Sequence, residues 1–92
     1  MQEPCVVHEK FVRSFKFWLN GQVNLGMSCG NELFALQEVY SAKQRERAYD
    51  CAYDLGRDGS EVVVTASNQH YKVWLNLRSP QFQDVEGLPG MA

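Results

Sequence analysis

The residues from Ser41 to Gly56, SAKQRERAYDCAYDLG, constrain the fold most, because they alone in this chain show a clean helical period. Ser41 followed by Gln44 matches the S-x-x-Q capping box that begins helices. A helical repeat of about 100° per residue places mostly small side chains on one stripe: Ala48, Cys51, Ala52 and Leu55. The sequence therefore predicts a helix over residues 42–55 that lies close to a sheet and ends at a left-handed cap on Gly56.

A β-hairpin is predicted on each side of this helix. The Asn20-Gly21 pair predicts a two-residue turn, because both residues tolerate positive φ. The resulting register places Trp18 opposite Val23 and Lys16 opposite Leu25. After the helix, a loop at residues 68–69 predicts three cross-strand pairs on one face of the sheet: Ala66 with Tyr71, Val64 with Val73, and Val62 with Leu75.

The two hairpins share a sequence pattern. Phe15-Lys-Phe-Trp-Leu-Asn20 and Tyr71-Lys-Val-Trp-Leu-Asn76 differ at only two positions. This similarity is too short to establish an internal duplication. It does predict that both strands alternate in the same sense, with Trp18 and Trp74 on the sheet face turned away from the helix.

The remaining segments complete an α+β fold. Residues 32–40 predict a mostly buried strand, because their apolar residues do not continue the helical stripe. Residues 1–7 are expected to form a loose lead-in, and residues 79–92 a flexible C-terminal tail. The prediction is a single domain over residues 1–78, an antiparallel four- or five-stranded sheet with one helix packed on one face in ββ(β)αββ order.

Composition excludes several classes of protein. Ninety-two residues with 45% hydrophobic and 22% charged residues suit one globular domain. The net charge of −2 gives no general attraction to nucleic acid or to an anionic membrane. The N-terminus lacks the apolar run of a signal peptide, and three scattered cysteines fit a disulfide framework poorly. We therefore expect a cytoplasmic protein with reduced thiols.

The sheet face turned away from the helix is the predicted interaction site. One helix covers one face only, so the second face should carry an exposed apolar patch of the kind that marks interfaces. The predicted interface residues are Lys16, Trp18, Val23, Leu25, Val63, Lys72 and Trp74. They indicate a non-enzymatic interaction module without a cofactor, which forms a homodimer or binds an unidentified protein. Cover by the chain's own ends is the alternative.

The same face suggests a single-stranded nucleic-acid binder as a second hypothesis. Cationic and aromatic side chains interleave there as stacking platforms do in such proteins. The residues concerned are Lys16, Trp18, Lys72, Trp74 and Arg78. The acidic balance and the lack of a clustered Arg-Lys segment weigh against this hypothesis.

An enzyme is the third hypothesis, a small hydrolase or thiol enzyme around Ser28 and Cys29. Residues 26–30, GMSCG, match the G-x-S-x-G nucleophile elbow, which needs a sharp strand-to-helix turn. Cys5, His8 and Cys29 could supply three metal ligands, but they lack the second close pair that a structural zinc site uses. No catalytic or metal-binding residue is therefore assigned.

Overall fold

The computed structural model describes residues 5–83, which form one six-stranded sheet with one long helix against it. The elements are β1 (Cys5–His8), β2 (Arg13–Leu19), β3 (Gln22–Cys29), β4 (Glu32–Ser41), α1 (Arg45–Leu55), β5 (Val62–Ala66), β6 (His70–Asn76) and the short α2 (Pro80–Gln83). The strand order is β1-β5-β6-β4-β3-β2. The predicted α+β class is confirmed.

The sheet is larger than predicted and it is mixed. Residues expected to be a loose lead-in form β1, which runs parallel to β5 from the Cys5–Val63 pair to the His8–Ala66 pair. All the other strand pairs are antiparallel. The prediction of four or five antiparallel strands is wrong in this respect, because a parallel partner distant in sequence leaves no turn signal beside the strand.

Both predicted hairpin registers are confirmed. Trp18 pairs with Val23 and Lys16 with Leu25. The turn residues Asn20 and Gly21 have φ of 54° and 75°, the paired positive values of a type I′ turn. In the second hairpin, β5 and β6 pair with the expected partners opposite each other.

The helix buries its small residues and ends at Leu55 as predicted, but its left-handed cap lies further along the chain. Ala48 and Ala52 are buried, and the Ser41 N–H donates to Gln44 Oε1 at 3.1 Å, one half of the capping box. A 3₁₀ turn precedes α1 and another follows it. Gly56 has a φ of −86°, so the predicted left-handed cap is wrong there. Gly59 takes that conformation instead, with a φ of 89°.

A helix-side cluster fills the space between α1 and the sheet. Its buried members are Ala35, Ala48, Ala52, Val62, Val64, Val73, Leu75 and Phe82. The small stripe of the helix thus meets the bulky face of the β5–β6 hairpin. Phe82 lies in α2, so residues just beyond the predicted domain boundary at 78 join this core. The rest of the predicted tail, residues 84–92, lies outside the described residues.

The opposite face of the sheet is concave and crossed by the chain. The strands β1 and β2 are the two edges of the sheet, five strand spacings apart. In a flat sheet that separation is about 24 Å. The five residue steps from His8 to Arg13 reach at most about 17 Å. The sheet must therefore curl, and residues 9–12, hereafter the strap, cross its concave face.

The strap covers a second hydrophobic cluster, the concave-face cluster of Met27, Phe34, Val63 and Trp74. Val12 from the strap and Val7 from β1 pack against this cluster. At the start of the strap, Lys72 Nζ donates to Glu9 Oε1 at 2.7 Å. This ion pair ties the strap to β6 and so helps to hold the cover in place.

The Glu9–Lys72 pair makes the free energy of unfolding depend on pH in the acid range. The hydrogen bond and charge of Lys72 lower the pKa of the Glu9 carboxyl below its usual 4.5. The stabilisation is therefore present above that usual value and is lost as pH falls through the lowered pKa. We expect Glu9→Gln to remove this pH-dependent stabilisation. The substitution should lower the free energy of unfolding by less than about 1 kcal/mol at neutral pH, because the pair is partly exposed.

Urea unfolding of both proteins as a function of pH measures this effect. The difference between wild type and Glu9→Gln should shrink toward zero in acid. A difference that stays constant across the acid range would show that the ion pair contributes nothing. Glu38→Gln, at an exposed position in β4, is the matched control.

Candidate interaction surface

The seven predicted interface residues do not form one exposed surface. Val63 and Trp74 are 4% and 2% exposed and belong to the concave-face cluster. The Trp74 indole N–H donates to Thr65 Oγ1 at 2.8 Å. The expectation that these two side chains are exposed is wrong, because the strap covers the part of the sheet on which they lie.

Two more of the seven are half-buried. Leu25 packs against the edge of the concave-face cluster. Lys72 is paired with Glu9 of the strap. Both side chains therefore have a role within the fold, and both are less exposed than Trp18 and Val23.

The remaining three are exposed together near the turn of the first hairpin. Trp18 is 69% exposed, Val23 is 53% exposed, and the two lie directly opposite each other on β2 and β3. Lys16 is exposed two residues before Trp18 and shares its side of β2. We call Lys16, Trp18, Val23 and the half-buried Leu25 the hairpin patch.

The hairpin patch is exposed because the end of the hairpin leaves the sheet. The ladder between β3 and β4 runs from Cys29–Glu32 only as far as Gly26–Ala35. Residues 22–25 of β3 pair with β2 alone. From residue 36 onward, β4 pairs with β6 alone, and an irregularity interrupts its register between Leu36 and Glu38. The hairpin end thus stands clear of β4 and beyond the cover that the strap provides.

Strand β2 also forms an edge of the sheet, and its charges protect that edge. Arg13 and Lys16 are exposed along it. Lysine on an edge strand disfavours strand-to-strand association between copies. The opposite side of β2 carries Phe15 and Phe17, half-buried with ring centroids 6.0 Å apart. The side of the strand that carries Trp18 is therefore more suited to contact than its backbone edge.

On the concave side and the strap that crosses it, the sequence reasoning missed two further exposed apolar side chains, Val39 and Phe11. Val39 is 44% exposed and lies opposite Lys72, which places it on the concave side. Phe11 in the strap is 70% exposed, and Lys10 Nζ lies 5.2 Å from its ring centroid. The irregularity between Leu36 and Glu38 reverses the alternation along β4, so the sequence pattern would have placed Val39 on the helix side. Nothing local to Phe11 indicates that its segment crosses a sheet.

The five residues of the nucleic-acid hypothesis are dispersed. Trp74 is buried and Lys72 is paired with Glu9. Arg78 Nη1 lies 3.3 Å from Glu32 Oε1, at the opposite end of β4 from its junction with the helix. Lys16 and Trp18 alone remain exposed side by side, which is one stacking platform rather than a series.

The residues of the enzyme hypothesis lie within a strand. Ser28 pairs with Arg13 on one side and Leu33 on the other, and β3 turns directly into β4. The strand-to-helix turn of a nucleophile elbow is therefore not formed. Cys29 packs against the concave-face cluster, and all three cysteines are free.

Residues 5–83 contain no group of three or more His, Cys, Asp or Glu side chains that could hold a metal ion. No helix in this described part is long and apolar enough to cross a membrane. No protein-family model, curated protein or solved structure matches the chain.

Proposed function

We propose that this chain is a small non-enzymatic interaction module that self-associates through the hairpin patch. The observation that carries the proposal is the Trp18–Val23 pair, two large apolar side chains that face each other across strands and are mostly exposed. Tryptophan is among the residues that contribute most to binding energy at interfaces. Burying this pair against a partner removes its apolar surface from water.

A second copy of the chain is the partner that this arrangement favours. Two hairpin patches related by a twofold axis bring Trp18 of each copy against the other's patch, as in an isologous dimer. Pairing the β2 edges antiparallel about Lys16 instead places the two lysines opposite each other, which is unfavourable. Face-to-face contact keeps both lysines at the solvent-exposed rim.

The size of the hairpin patch sets the expected affinity of the dimer. A stable interface buries about 800 Å² on each partner, and the hairpin patch has only two strongly exposed apolar side chains. We therefore expect a weak dimer with a dissociation constant of roughly 1–100 μM. Such a dimer dissociates on dilution.

Val23→Lys should abolish dimer formation, because it places a charge at the centre of the proposed contact. Val6→Lys is the matched control: Val6 is 46% exposed in β1, and its pairing with Val64 places it on the helix side of the sheet. Sedimentation velocity and light scattering over a concentration series measure the effect. The control should dimerise like the wild type.

Two outcomes contradict the proposal. One is a wild-type chain that remains monomeric at concentrations well above the expected dissociation constant. The other is a dimer that Val23→Lys leaves intact. Salt-sensitive binding of a single-stranded oligonucleotide by the monomer, lost in Lys16→Gln, would instead support the nucleic-acid hypothesis.

A further inference from the structure

The cations of the strap and the first hairpin are separated in sequence from every carboxylate of the chain. Residues 10–31 contain Lys10, Arg13 and Lys16, whereas all eleven Asp and Glu residues lie outside this segment. The segment is therefore locally basic in a chain whose net charge is −2. The hairpin patch belongs to this basic segment, so its charge attracts an anionic partner.

Apolar and cationic side chains follow one another along the hairpin. Trp18 and Val23 are exposed beside the turn, and Lys16 shares their side of the sheet two residues further from the turn. Because a strand rises about 3.3 Å per residue, Lys16 lies about 7 Å behind Trp18 along β2. The turn residues 20–21 are exposed and uncharged. The apolar pair is thus at the end of the hairpin, with a cation in the next row.

The fold leaves the hairpin end free to approach a surface. Residues 22–25 of β3 pair with β2 alone, so this end stands clear of β4. The carboxylates of β4 lie elsewhere: Glu32 pairs with Cys29 at the other end of β3, and the pairing of Glu38 with a buried valine places it on the helix side. An anionic surface that meets the hairpin end therefore meets no carboxylate of the hairpin itself.

The strap carries a second cation beside an exposed ring on the same side of the sheet. Lys10 Nζ lies 5.2 Å from the ring centroid of Phe11, whose side chain is mostly exposed. The carboxylate of the strap, Glu9, is held by Lys72. The concave side thus presents exposed aromatic rings and cations, and the carboxylate beside them is already paired.

We propose that the end of the first hairpin binds the surface of an anionic phospholipid bilayer. Trp18 and Val23 enter the boundary between headgroups and acyl chains, where the apolar faces of interfacial segments reach a depth of about 5–10 Å. Lys16, about 7 Å behind Trp18, then lies beside the anionic headgroups. Tryptophan is enriched at this boundary in membrane proteins.

A bilayer suits this surface better than a nucleic acid does. Val23, the neighbour of Trp18, is aliphatic and offers no second ring on which a base can stack. Membrane binding rests on the hairpin patch being a contact surface, as the proposed dimer does, and the two occupants exclude each other because each covers Trp18. They differ at Lys16, which contacts lipid headgroups but lies at the rim of the dimer.

Titration of the full chain with lipid vesicles tests the proposal at about 0.1 μM protein, below the dissociation constant expected of the dimer. Vesicles of phosphatidylcholine mixed with phosphatidylserine should shift the Trp18 emission to the blue, because the exposed ring enters an apolar environment. Trp74 is already buried and should contribute no shift. Co-sedimentation with the vesicles gives the partition coefficient, which should fall as sodium chloride is added.

Lys16→Gln should weaken binding to the mixed vesicles about fivefold, the contribution of one lysine near an anionic leaflet. The same variant should leave the dimer intact. Trp18→Ala should weaken vesicle binding roughly tenfold, because it removes the larger inserted side chain. Lys43→Gln is the charge-matched control, exposed in the 3₁₀ turn before α1 and outside the basic segment, and should bind like the wild type.

Three results would overturn the proposal: no binding to the mixed vesicles, equal binding to vesicles of phosphatidylcholine alone, or equal losses in Lys16→Gln and Lys43→Gln. Tighter binding of a single-stranded oligonucleotide than of the mixed vesicles would identify a nucleic-acid surface and reject the bilayer. A chain that dimerises but does not bind vesicles rejects the bilayer alone. A chain that binds vesicles but stays monomeric in their absence rejects the dimer alone.

Discussion

Replacing Trp74 with alanine should lower the free energy of unfolding by about 3–5 kcal/mol, the range for removing a buried aromatic side chain. Trp74 is 2% exposed in the concave-face cluster, with its indole N–H bonded to Thr65 Oγ1. The substitution leaves a cavity beneath the strap and an unpaired buried hydroxyl on Thr65. A loss of this size is a large part of the stability of a small domain.

Trp18→Ala is the matched control for this experiment. Trp18 occupies the equivalent position in the similar hexapeptide, yet it is 69% exposed. We expect its replacement to change monomer stability by less than about 0.5 kcal/mol, as exposed substitutions usually do.

Urea unfolding monitored by far-UV circular dichroism, at a concentration at which the chain is monomeric, measures both effects. Acrylamide quenching of the wild type should separate one accessible tryptophan from one protected tryptophan. Equal losses of stability in Trp18→Ala and Trp74→Ala would show that the strap does not bury Trp74 as described.

Ala48→Leu should destabilise the fold by about 1–3 kcal/mol through overpacking. Ala48 is 0% exposed on the stripe of α1 that faces the β5–β6 hairpin. The added carbon atoms must push the helix away from the sheet or force neighbouring side chains from their preferred rotamers. Leucine and alanine are both good helix formers, so helix propensity contributes little to the expected loss.

Ala42→Leu is the control, because Ala42 is exposed in the 3₁₀ turn that precedes α1. Thermal or urea unfolding of the two variants should show a clear loss for Ala48→Leu and a small change for Ala42→Leu. A wild-type stability in Ala48→Leu would contradict the close packing of helix on sheet.

Much of the helix-side half of the fold could be predicted because its signals are local. Asn20-Gly21 specifies a turn by its tolerance of positive φ, and that turn sets the register of the first hairpin. The capping pattern at Ser41 and Gln44 marks the start of the helix. The end of the helix was less well marked, because Gly56 and Gly59 both follow it. Gly56 begins a 3₁₀ turn, and Gly59, which ends that turn, is the one that adopts positive φ.

The concave half could not be predicted because its contacts are distant in sequence. The strand β1 pairs with residues in the last third of the chain, and nothing near Cys5 marks that partner. The strap follows from this pairing, and the strap in turn decides the environment of the tryptophans. The hexapeptides that contain Trp18 and Trp74 are alike locally, so no pattern within them could distinguish the exposed ring from the buried one.

The parallel pairing of β1 with β5 also has a consequence for biosynthesis. The segment that forms β1 leaves the ribosome long before Val63 to Ala66, its partners in β5. The first hairpin can fold early from neighbouring residues, whereas the concave core must wait until most of the polypeptide has been translated. A nascent chain stalled before β5 should therefore expose Met27 and Phe34 to chaperones.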